Sequence, residues 1–302
     1  MPTQTLPYQE ISMLPHRAWR FLPALLLAAA TTGLHAQEVD SVVKKLQTTH
    51  TITIGYRETS LPLSYLDKDN KPTGYAVEFC QRIAEAAKRD LKLPELKINY
   101  VPVNIQTRQA LVANGTVDIV CDGTVRTWAR SKQVAFTPVH WVSAEQLLVL
   151  KDSGIKSMAD LTGKIVMIAT GGTSEPTAKH LLEDEHMTFK LMRVSDHPAA
   201  LLALESHRAD AYLCDNAAFY SLIKSSHHPE NLAIVGPELS YQPEALIIPL
   251  NNPGFAWIAG HEMSAMFKSG DADKLVTKWF GEFGVGVSPK LRAAWNTYSF
   301  PE

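Results

Sequence analysis

Apolar positions along this chain switch repeatedly between the period of a strand and the period of a helix, which predicts an α/β protein. Residues 51–55 form an apolar strand that ends in the polar run Tyr-Arg-Glu-Thr-Ser, carrying Arg57. Over 74–89, Val77, Cys80, Ile83, Ala84 and Ala87 recur on one helical face, and 98–101 restores a strand. A short helix over 39–46 precedes this strand-helix-strand unit. A further helix over 107–113 closes at Asn114-Gly115, where the glycine suits a left-handed cap, and leads to a strand over 117–121. The strand at 164–169 is followed by Gly171-Gly172-Thr173-Ser174 and a helix through Leu182, whose first turn offers hydroxyls and unpaired amides.

An internal echo points to two lobes. LVANGTVDIVCD (111–122) and LESHRADAYLCD (204–215) both run from a helix end through a short turn and an Asp into an apolar strand closing on Cys-Asp. Apolar strands at 146–150 and 245–249 are the expected crossings, which together make a hinge. The resulting partition gives lobe 1 as 37–143 with 245–290, lobe 2 as 144–244, and 291–302 as a C-terminal tail. Each lobe is expected to be a mainly parallel sheet flanked by helices. A late helix over 272–280 presents Leu275, Val276, Trp279 and Phe280 to the first lobe.

The run HRAWRFLPALLLAAATTGLHA (16–36) has a basic flank, an apolar core too short for a bilayer and a small-residue exit. Residues 1–36 are therefore expected to be a secretory signal. About 266 residues then remain, enough for two modest lobes with a substantial core. Lys plus Arg number 29 against 31 Asp plus Glu, a net charge of -2, which offers no electrostatic case for nucleic acid. The three cysteines, Cys80, Cys121 and Cys214, lack metal-ligand spacing; one disulfide is permitted, with Cys121 and Cys214 expected in separate lobes.

Open α/β sheets bind small ligands in the crevice beyond their strand ends. Arg57, Arg108, Arg126, Arg130, Thr173, Ser174, His197 and Asp215 all fall in such loops or at adjacent helix starts. Arginine's rigid fork suits carboxylates, so several converging on one crevice indicate an acidic ligand; isolated surface arginines are the ordinary alternative. Asp215 suits an ammonium, and His197 an anion, although Asp196-His197-Pro198 also suits a plain helix start. The glycine turn matches neither nucleotide-binding pattern, and no nucleophile elbow or zinc helix is present. No cofactor and no metal are expected.

These segments resemble the periplasmic solute-binding proteins of the polar amino-acid class, with glutamate/aspartate-binding proteins of ABC importers closest in pattern. The resemblance spans about 40–289 and rests on GYRETSLPLSYLD (55–67), GYAVEFCQRI (74–83), NGTVDIVCDGT (114–124), TGGTSE (170–175) and SDHPAALLALESHRADAYLCDNA (195–217). It implies the type II two-lobed fold, a monomer in the periplasm, and partnership with importer membrane subunits. Carried over by position, Arg130 is the clamp for an α-carboxylate and Asp215 the partner of an α-ammonium. Arg57, Arg108 and His197 meet a second carboxylate or line its pocket, and Thr173 and Ser174 add hydroxyls or amides. The chain departs from the pattern at Ile105, Gly123 and Val125, where hydroxyl residues are usual; Thr124 remains a donor, and Arg126 is a cation beside the gap. A small acidic amino acid is the first expectation, and a related dicarboxylate or modified amino acid the second. A dehydratase on this scaffold, with Glu175 as its acid, and a sensor domain are the other readings.

Overall fold

A computed structural model describes residues 40–301, so the expected signal segment lies outside the described residues, as does Val39 of the first expected helix. Helix α1 (Ser41–Thr49), capped by Asp40, leads into β1 (Thr51–Tyr56). A small meander of β2 (Thr59–Ser60), β3 (Ser64–Leu66) and β4 (Pro72–Thr73) follows. Then come α2 (Tyr75–Asp90), β5 (Lys97–Pro102), α3 (Arg108–Ala113), β6 (Ile119–Val125) and β7 (Val134–Ser143). After Ala144 the chain enters a second sheet with β8 (Glu145–Leu150), β9 (Ile165–Ala169), α4 (Ser174–Glu183), β10 (Lys190–Val194), α5 (His197–Glu205), β11 (Ala211–Asp215), α6 (Asn216–Ser225) and β12 (Leu232–Val235). It returns through β13 (Gln242–Pro249) and ends with α7 (Pro253–Ser269), α8 (Asp271–Phe280) and α9 (Pro289–Asn296).

The strand orders are β5-β1-β6-β13-β7 and β10-β9-β11-β8-β12. In each sheet the first three strands pair in parallel, the fourth (β13 or β8) runs against them, and the fifth (β7 or β12) pairs antiparallel with the fourth. The antiparallel pairs are those beside the crossings: β7 leaves the first sheet and β13 returns to it, while β8 enters the second and β12 leaves it. The echoed segments occupy equivalent places, as β6 and β11. Their aspartates make the same contact: Asp118 accepts the Thr53 N–H at 2.7 Å, and Asp210 accepts the Ile165 N–H at 2.7 Å.

Each sheet has its own apolar core. The first packs α2, α7 and α8 on β1 and β6 through residues such as Ile54, Phe79, Ile83 and Phe280, with Trp141 stacked on Phe280 at 4.0 Å. As the spacing predicts, Leu275, Val276 and Phe280 of α8 are buried there. The second core lies on both faces of its sheet, around Tyr212 and Phe219 on one side and Leu147 and Leu213 on the other.

Three boundaries differ from those read in the sequence. β6 extends to Val125, so Gly123 and Thr124 are strand residues. Gln242 and Glu244 already pair with Ser143 and Trp141, so the return strand begins before Ala245; buried polar residues at its start had hidden it from an apolar pattern. Within the segment expected as a C-terminal tail, α9 buries Leu291 and Trp295 in the first core, where Trp295 stacks on Phe267 at 5.2 Å. Cys80 and Cys121 form a disulfide tying α2 to β6, and Cys214 is buried and unbridged.

Candidate functional site

The ends of β1, β6, β9 and β11 and the starts of α3, α4 and α5 surround one recess between the two sheets. Arg57 follows β1 directly; its backbone N–H donates to Ser64 Oγ at 2.9 Å, and the residue is 2 % exposed. Its Nη2 lies 2.6 and 2.7 Å from the two carboxylate oxygens of Asp196, the residue that caps α5. Asp196 thus caps α5 and Pro198 lies in its first turn, the plain helix start that Asp196-His197-Pro198 also suits.

Arg108 opens α3 and pairs with Asp122 of β6, whose other oxygen accepts from Thr124 Oγ1. Burial works to raise the Asp122 carboxyl, but Arg108, Arg57 and the Thr124 hydroxyl outweigh it and hold it below the usual carboxylate range. Arg108 Nε is buried without a partner, an unmet donor of the kind that costs about 1–3 kcal/mol.

Arg130 donates from Nη1 to Val125 O at 2.8 Å and from Nη2 to Gly171 O at 2.9 Å, so it bridges the two sheets. Burial, reinforced by Arg108, lowers its pKa to about 10, which leaves it a cation at neutral pH. Across the recess, Thr173 and Ser174 sit at the N-terminus of α4. His197 Nδ1 is 2.8 Å from Tyr212 Oη; burial and then Arg57 depress its pKa, so the ring is neutral at pH 7. Asp215 ends β11 and caps α6 by accepting the Ala218 N–H at 3.2 Å.

Arg57, Arg108, Gly123 and Arg130 from the first lobe thus line the same recess as Thr173, Ser174, His197 and Asp215 from the second. Thr124 and Arg126 do not line it. Thr124 points to the opposite strand face and serves Asp122. Arg126 is exposed, with Nη1 3.5 Å from Tyr298 Oη and its side chain beside α9. Alternation along β6 explains both, since Gly123 and Val125 take the cleft face and their neighbours cannot. Glu175 bonds to Arg193 on an exposed surface and is likewise outside the recess.

Sequence reading missed Ser60, Leu63 and Cys214, which also line the recess, and the buried acids Asp122 and Glu244. The Cys214 thiol, pushed well above its ordinary pKa by burial and by Asp215, is held protonated. Among the described residues no group of three or more His, Cys, Asp or Glu is arranged to hold a metal ion, and no helix is long and apolar enough to cross a membrane.

Residues 52–282 match the family of bacterial extracellular solute-binding proteins, family 3. The chain belongs to this family. Among its relatives is the L-glutamate/L-aspartate-binding protein of Pseudomonas aeruginosa, 34% identical over 86% of this chain and 88% of that protein. The glutamate/aspartate import solute-binding protein of Escherichia coli K12 is 32% identical over 85% of this chain and 87% of that one. An ancestral arginine-binding protein bound to arginine superposes with a TM-score of 0.68, at 27% identity over 76% of this chain and 98% of that one. Family 3 members of this kind are two-lobed, so the two sheets described above are the two lobes of a type II binding protein, and its near relatives are binding proteins.

Proposed function

We propose that this family 3 protein is the extracytoplasmic receptor of an ABC importer, capturing a small acidic amino acid between its lobes without chemical change. One observation carries the reading: Arg57, Arg108 and Arg130 converge with Asp215 and the α4 N-terminus on one recess. Arg130 and the nearby amides of α4 suit an α-carboxylate, Asp215 suits the α-ammonium, and Arg57 with neutral His197 suits a second carboxylate. The glutamate/aspartate names of its relatives support that choice of ligand. Contacts from both lobes favour closure, and the closed form is what the membrane subunits receive. One relative is a general L-amino acid-binding periplasmic protein, which supports a periplasmic role, and the glutamate/aspartate-binding relatives support a non-enzymatic one; Glu175, the acid weighed for a dehydratase, lies exposed away from the recess.

A second reading draws on the charge pairing within the cleft. Arg57 is matched by Asp196 and Arg108 by Asp122, so an uncharged polar side chain such as that of glutamine would meet an already balanced pocket. Calorimetric titration of the protein, freed of bound metabolites by unfolding and refolding, with L-glutamate, L-aspartate, L-glutamine and glutarate decides between them. Tightest binding of glutamate or aspartate supports the first reading, and tightest binding of glutamine the second. Binding of glutarate alone, or of none, would overturn both.

A further inference from the structure

Beside Gly123 a side chain is missing from the recess, and a buried acid occupies its volume. Gly123 and Val125 share one face of β6, and Glu244 of β13 stands opposite Val125 in antiparallel register, so its side chain rises on that same face. A β-carbon built at Gly123 would collide with Glu244 Oε2 and lie 2.7 Å from Leu63 Cδ1. Glu244 is 0% exposed; Oε1 accepts from Ser143 Oγ, and Oε2 has no hydrogen-bond partner. The oxygen at the gap is therefore buried, polar and unmatched, which a protein tolerates where a ligand completes the bonding.

This inference rests on the amino-acid reading above. We propose that Glu244 is a specificity-determining residue whose Oε2 accepts, together with Asp215, the ammonium group of the amino acid across the space left open at Gly123. An ammonium brings three N–H donors, and Asp215 alone does not match them. The hydroxyls expected at positions 123 and 125 are absent, and Glu244 replaces that acceptor capacity from the neighbouring strand. Its position also explains why residue 123 is glycine: any side chain there would displace the carboxyl group.

Binding then moves a proton. Burial and the nearby Asp215 favour the neutral Glu244 acid in the empty cleft. The ligand's ammonium adds a positive charge to the site, Glu244 ionises, and its proton leaves to solvent. The other groups that act on Glu244 are Asp122 of β6, Arg108 of α3 and Tyr75 of α2 through their charges, and Ser143 of β7 through its hydrogen bond. Asp122 stays ionised through Arg108, and Tyr75 stays protonated because burial raises its pKa further, so neither supplies that proton.

The test is calorimetry at pH 7 with L-glutamate, L-aspartate and L-glutamine, in two buffers of different ionisation enthalpy, on wild type, E244Q and E244A. For the tightest ligand, wild type should release protons on binding, and E244Q should release none. E244A should bind about tenfold to hundredfold more weakly, the range expected for a lost bond to a charged group. Should E244A fail to fold, E244Q with an intact thermal transition carries the result. Wild-type proton release in E244Q, or affinity within about twofold of wild type in folded E244A, would overturn the assignment. A wild-type protein that binds none of the three overturns the amino-acid reading itself and this assignment with it, whereas binding that is indifferent to Glu244 overturns the assignment alone.

Discussion

Arg57 and Asp196 join the two lobes beside the recess, with Arg57 Nη2 2.6 and 2.7 Å from the Asp196 oxygens. Asp196 competes for the guanidinium that a ligand's second carboxylate would use. Asp196→Asn keeps a side chain able to cap α5 but removes the competing charge, so the preference for glutamate over glutamine should rise about tenfold. Arg57→Ala should shift the preference the other way by a similar factor. Calorimetry with both ligands reads the ratio; equal losses for the two would assign Arg57 to lobe closure instead.

Gly123→Ser should destabilise the fold by about 1–3 kcal/mol, because the new side chain must displace Glu244 and Leu63. In the G123S/E244A double variant the collision with Glu244 is removed, and chemical denaturation should recover part of that loss. Independent, additive losses in the two variants would contradict the shared space.

The pH dependence of stability has two limbs. Asp122 and Asp196 sit below their ordinary 3.8, so their stabilisation is present above that value and lost as pH falls further, through their folded pKa values. Glu244 is raised above 4.5 by burial and by Asp215; the stability linked to its neutral form is present below 4.5 and lost as pH rises toward its folded value. Thermal melts from pH 4.5 to 8 should therefore show E244Q gaining on wild type as pH rises. A constant difference would mean that Glu244 does not titrate as the geometry requires.

Alkylation followed by intact mass should find no modified thiol in the native protein, one after denaturation, and three after denaturation with reduction. The buried, protonated Cys214 accounts for the second result. Replacing Cys80 and Cys121 together should cost about 2–4 kcal/mol of unfolding free energy.

Arg126→Ala should leave ligand affinity within about twofold of wild type, since its side chain lies beside Tyr298, outside the recess. A tenfold loss in calorimetry would show that Arg126 reaches the ligand in another arrangement of the lobes.

Local order was legible because it is written in periodicity. The helical spacing of Val77, Cys80 and Ile83 predicted α2, and the Leu111 and Leu204 echoes landed on equivalent strands of two like-ordered sheets. Candidates such as Arg57, Arg108, Arg130 and Asp215 were legible because residues at strand ends and helix starts gather at one edge of an α/β lobe. Arg126 was misplaced by the same rule, because the sequence did not show that β6 runs on to Val125 and turns alternate residues away.

By itself, then, the sequence determined the α/β alternation, the two lobes and a shared edge rich in arginine, since these follow from short-range periodicity and chain order. Tertiary structure alone decided that Cys80 meets Cys121, that Asp122 and Asp196 occupy two of the arginines, and that Glu244 fills the place left at Gly123. Those pairings join residues 14 to 139 positions apart in the charge pairs and 41 apart in the disulfide. Their partners are fixed by how strands register and lobes close, and no local pattern of apolar and polar residues encodes that geometry.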